Sequence, residues 1–137
     1  MAGVEAGVSP KYKENLPDGC PPDGAGVRAY EGVWRYVTSK TVTDNDFASY
    51  HALGKPRPKT VSPCRWASSS LFLTQEAAYL LLPKLRGRYK HIAKVNISEK
   101  CGVSLLLKSH IDFWRYDTFK PAVVAVEDIP EEEDSHG

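Results

Sequence analysis

Two sets of cationic side chains carry the plainest chemistry in this 137-residue chain. Lys84, Arg86, Arg88 and Lys90 run through PKLRGRYK with Tyr89 among them, and Lys94 follows. Guanidinium and ammonium groups at that density beside an aromatic ring suit phosphates and stacked bases. They also suit a solvated turn, because cations after a helix complement its negative end. Lys55, Arg57 and Lys59 punctuate the proline-rich run KPRPK. If the fold brings both loops onto one face, together they make an anion-binding surface.

A second chemistry lies in His110-Ile-Asp112-Phe-Trp114. On an extended backbone His110, Asp112 and Trp114 share a face, where a carboxylate raises the pKa of an imidazole and readies it for proton transfer. The same spacing also describes ordinary strand neighbours. Phe113, Trp114, Tyr116 and Phe119 read as a satellite core or a partner-binding patch. Cys20, Cys64 and Cys101 are odd in number, far apart and without a CxxC neighbour. They read as reduced thiols rather than a disulfide framework, and no metal site is expected of them.

Charge is unevenly distributed. The chain is formally +1, yet six of its 17 acidic residues fall after Val126, where there is no Lys or Arg. Residues 1–126 therefore hold all 18 basic side chains against 11 acidic ones. A body of that sign attracts anions, and an acidic end can compete for the same surface.

The elements that must position these groups follow from periodicity. Residues 1–26 mix Gly, Pro and charge, and read as a flexible lead with an ordered turn around Pro17–Pro22. VWRYVT alternates as a strand, with Val33, Arg35 and Val37 on one face. Thr43 and Asp46 form a capping-box pattern before a short helix in DFASYHAL, stopped at Gly54. Ser69–Leu73 reads as extended, Thr74 as an N-cap, and Gln75–Leu82 as a helix limited by Pro83. HIAKVNIS alternates as a half-buried strand with Ala93, Val95 and Ile97 inward. After a turn at Gly102, VSLLLK is apolar enough for a central strand, and PAVVAVEDI supplies the last one.

These elements predict a single α+β domain over residues 27–129, with a mixed or mainly antiparallel sheet of four or five strands and two short helices. Residues 130–137 are expected to form an acidic disordered tail. No apolar run approaches the length of a membrane span, and with an acidic residue near the N-terminus the expected setting is cytoplasmic.

An Arg on the first strand, the serine-rich ASSSLFLTQEAA leading from strand to helix, and a late Glu together resemble ADP-ribosyltransferase-like toxin domains. The resemblance covers about residues 33–127 by element order. It implies an NAD-consuming enzyme with NAD as the bound cofactor. Arg35 would hold a phosphate of the dinucleotide, Ser69 would steady the ribose and nicotinamide region, and Glu127 would polarise the ribose hydroxyl as the glycosidic bond breaks. The residues themselves favour another function: a small binding or interaction module without a cofactor. Its basic face, built from Lys84, Arg86, Arg88, Tyr89, Lys90, Lys55 and Arg57, would engage a nucleic acid, a nucleotide or an acidic protein.

Overall fold

In the computed structural model, which describes residues 11–85 and 87–130, six strands form one antiparallel sheet. They are β1 (Tyr30–Val37), β2 (Ser69–Phe72), β3 (His91–Ile97), β4 (Gly102–Leu107), β5 (His110–Arg115) and β6 (Ala122–Asp128), in the spatial order β4-β5-β2-β1-β3-β6. The α+β expectation holds, but there are six strands rather than four or five. The additional strand is β5, formed by the aromatic stretch. It was hidden because Lys108-Ser109, which joins Leu107 to its partner His110, contains no Gly, Asn or Asp; Lys108 itself adopts the left-handed turn conformation, with φ 58°.

VSLLLK is correspondingly an edge strand, not a central one. Its apolar composition is tolerated because the N-terminal segment covers part of that edge: Gly26 and Ser104 exchange backbone hydrogen bonds of 3.0 and 2.8 Å. Gly102 opens β4 instead of making a turn. A Cβ there would stand 2.8 Å from Arg115 Cα and collide with the Trp114 carbonyl, so close strand approach requires glycine. The opposite edge, β6, exposes Val123 and Val124.

The sheet is apolar on both faces. Val33, Val37, Leu71, Ala93, Val95 and Phe113 pack with Phe47 and Phe119 on one side. Trp34, Tyr36, Phe72 and Ile92 pack beneath Ala78 and Leu82 on the other. The inward set expected of β3, Ala93, Val95 and Ile97, is buried as the alternation required.

The helical elements are shorter and more numerous than the two expected: α1 (Pro63–Trp66), α2 (Gln75–Tyr79) and α3 (Leu82–Leu85). Thr74 caps α2 by accepting from the Ala77 amide at 3.1 Å. Pro83 falls in the first turn of α3, where its missing N–H leaves no bond unmade. The segment after Thr43 has the capping box but forms only a 3-10 turn, Asp44–Phe47. Arg35 accounts for its termination. Its guanidinium occupies the carbonyls of Asp46 and Ala48, the acceptors a continuing α-helix would need.

The described part of the lead, residues 11–26, is tied to the fold well before Val27. Tyr12 bridges Tyr116, and Glu14 accepts from the Ser49 amide at 2.9 Å and hydroxyl at 2.5 Å. Cys20 and Cys64 form a disulfide across 44 residues of sequence, correcting the expectation of reduced thiols; Cys101 stays free and buried. Wide spacing along the chain gave no sign of this pairing, because the proline turn at residues 17–22 and α1 meet only in the folded state. Residues 1–10 of the lead, Arg86 and residues 131–137 of the expected tail lie outside the described residues. No helix among the described residues is long and apolar enough to cross a membrane.

Candidate functional site: a cleft floored by Arg35

The registered pairing of β1 with β2 is confined to Trp34 and Phe72. Beyond it, the Ser70 carbonyl accepts from Arg35 Nη1 at 2.9 Å. Arg35 Nε donates to Asp46 O at 2.9 Å and Nη2 to Ala48 O at 3.4 Å. A guanidinium has five N–H donors, so two are left over. No carboxylate among the described residues lies within 4.0 Å of it. Asp46 offers Arg35 its backbone carbonyl, while its carboxylate is engaged by Thr38 and Thr43. Burial pushes the Arg35 pKa below its ordinary value, an effect partly offset by Tyr89, Tyr50 and Asp46.

Arg35 faces a cleft of about 200 Å³ whose walls include Tyr50, Arg65, Trp66, Ser70 and Tyr89. The same Arg35, Tyr50, Ser70 and Tyr89 border an adjoining space of about 170 Å³, closed by the apolar Phe72 and Leu85. Aromatic contacts shape the walls. Tyr50 and Trp66 lie with ring centroids 4.9 Å apart, and Tyr89 is 5.7 Å from Tyr36. Burial, reinforced by Tyr50, raises the Tyr89 pKa, so the phenol stays neutral as a donor.

Both basic loops bond to residues of this cleft's wall, but among the described residues none of their Lys or Arg side chains lines it. Arg88 Nη1 donates to the Tyr50 hydroxyl at 3.1 Å, and Tyr89 is part of the wall. On the other loop, the Lys55 carbonyl accepts from Trp66 Nε1 at 2.9 Å, and Arg57 Nη1 donates to Val61 O at 2.6 Å, with Val61 at the rim. Lys84 and Lys90 are exposed and do not line it. Arg86 lies outside the described residues.

Of the three residues drawn from the transferase resemblance, Arg35 meets the serine strand, but through Ser70 and Ser68. Ser69 is turned to the opposite face, where its buried hydroxyl donates to the Phe47 carbonyl. Glu127 lies on β6, exposed, and accepts from Gln75 Nε2 at 2.9 Å. It lines neither part of the cleft. Two strands, β1 and β3, separate it from β2.

The acid that stands behind the cleft is Asp112. In the β2–β5 register it is opposite Ser70, while His110 is opposite Phe72. Its side chain is 4% exposed; Oδ1 lies 3.3 Å from His110 Nδ1 and 3.6 Å from Arg65 Nε. Burial raises the Asp112 pKa against the pull of His110 and Arg65, and burial lowers that of His110 against the pull of Asp112. The HxD face was legible in the sequence. Arg65, Tyr50 and Trp66 were missed, since a lone Arg-Trp before a serine run and a Tyr in an expected helix carry no pattern of their own.

Among the described residues no group of three His, Cys, Asp or Glu could hold a metal. Compared with protein-family models, curated proteins and solved structures, the chain matches none.

Proposed function

We propose that the protein is a small binding module whose cleft takes a phosphate-bearing anion of nucleotide size. The observation that carries this reading is Arg35: a half-buried cation with two donors left over and no carboxylate among the described residues within 4.0 Å, at the floor of an aromatic-walled space. Withdrawing a charge from water is costly unless something pairs with it, and an incoming anion supplies the pair. Tyr50, Trp66 and Tyr89 offer ring faces for a base, and Arg65 and Arg88 add charge at the mouth. The combined volume suits a mononucleotide better than a strand of nucleic acid or an acidic protein surface. The Cys20–Cys64 disulfide favours an oxidising setting over the cytoplasmic one.

Calorimetric titration with ADP tests the reading. Saturable binding that weakens as salt rises is expected, with Arg35→Met abolishing it and Arg88→Gln weakening it. Equal affinity in wild type and Arg35→Met would overturn it. A second reading, an NAD-consuming transferase, draws on the meeting of Arg35 with the Ser68–Ser70 strand. It calls for nicotinamide release from NAD that Arg35→Ala eliminates; turnover that survives the substitution excludes it.

A further inference from the structure

Asp112 serves two cations with one oxygen. Oδ1 is 3.3 Å from His110 Nδ1 and 3.6 Å from Arg65 Nε. His110 Nδ1 and Asp112 Oδ1 are both buried, yet neither makes an aligned hydrogen bond. The arrangement is therefore a competition, not a closed network. The competitors differ in freedom. Arg65 is 52% exposed, lines the cleft, and is held on a four-residue helix; His110 is 24% exposed and fixed in a strand against the Phe72 ring.

We propose that Asp112 releases Arg65 to an anion in the cleft when His110 takes up a proton, so that ligand binding at this site is proton-linked. The inference rests on the anion-site reading and adds its regulation. With His110 neutral, Arg65 is the only cation beside Asp112 and is held back toward β5. With His110 protonated, the imidazolium neutralises the carboxylate, and Arg65 is free to turn its charge on the ligand. Among the described residues no other titrating group intervenes. β2 presents Ser70 and Phe72 to the pair, and Ser68 just before that strand bonds to Asp112; β4 presents Leu105 and Leu107, and the adjoining turn carries the exposed Lys108, which forms no ion pair among the described residues.

The sign follows from linkage. Arg65 disfavours the proton on His110 while it sits at Asp112. An anion that draws Arg65 away lets His110 hold its proton more tightly. Binding then takes up a proton, and affinity is highest below the ligand-free midpoint of His110 and is lost as pH rises through the ligand-bound one.

Two measurements on the full chain test this. The first follows the His110 ring signal by NMR without ligand. Arg65→Gln, an exposed change, should move its midpoint upward, and an unmoved midpoint overturns the coupling. The second titrates ADP from pH 8 to pH 5.5 in wild type and His110→Asn, whose difference cancels the phosphate's own ionisation. Wild type should gain affinity relative to the variant between the two His110 midpoints, by no more than about tenfold per pH unit, the one-proton limit, and level off outside them. Parallel curves overturn the proton linkage and leave the anion site standing. Absence of ADP binding at every pH removes both.

Discussion

Arg35, half-buried, and Arg115, buried, lie on strands of the same sheet, and the protein settles their charges in opposite ways. Arg115, with a side chain 5% exposed, places Nη1 2.5 Å from Asp44 Oδ1 and Nη2 3.4 Å from Glu14 Oε2. Glu14 in turn holds Ser49, and Asp44 also meets Lys13 at 3.5 Å. Arg35 has only carbonyl oxygens. Those dipoles satisfy three of its five donors but bring no full negative charge within 4.0 Å of it. The difference separates a cation that fastens the N-terminal segment to the sheet from one that, in the proposed function, takes its counter-ion from outside.

The comparison can be broken by stability measurements. Arg115→Met should cost the most, about 3–5 kcal/mol in urea unfolding, because it leaves the largely buried Glu14 carboxylate without its cation and Asp44 with Lys13 alone. Removal of the Cys20–Cys64 disulfide, by Cys64→Ser or reduction, comes next. A 44-residue separation predicts a loss of up to about 4 kcal/mol in the chain-entropy account. Arg35→Met should cost less than Arg115→Met, about 1–3 kcal/mol, since it unbonds carbonyls without stranding an acid. If the two arginine variants unfold at the same urea concentration with equal slopes, the distinction between fastener and receptor collapses. The smallest effect belongs to Thr74→Ala, about 1 kcal/mol for the lost cap of α2, a change that should leave the ranking of the two arginines intact.

What the sequence disclosed was local. Alternation placed Val33, Val37, Ala93, Val95 and Ile97 inward, and Thr43 with Asp46 and Thr74 announced their caps. These signals need only a few neighbouring residues. The failures involve distant partners. The helix expected through DFASYHAL ends after one turn because Arg35, eleven residues upstream of Asp46, takes its carbonyls. The Cys20–Cys64 bond and the grip of Glu14 on Ser49 each join segments that no periodicity links.

For the site, residue types were legible and directions were not. Arg35 and Tyr89 line one cleft, Arg88 meets its wall at the Tyr50 hydroxyl, and Lys55 and Arg57 only bond to Trp66 and Val61 without lining it, while Lys84 and Lys90 remain on the surface. A one-residue alternation sends Ser70 into the cleft and Ser69 into the core, a choice the run of three serines could not reveal.

The two ends of the sheet are finished differently. Gly26 covers part of β4, but among the described residues nothing pairs with the outer side of β6, where Val123 and Val124 face solvent. Self-association in concentrated solution therefore has one preferred flank for strand-to-strand docking. Val124→Lys should lengthen storage life without disturbing the Arg35 cleft, since the vulnerable flank and the cleft lie on separate strands.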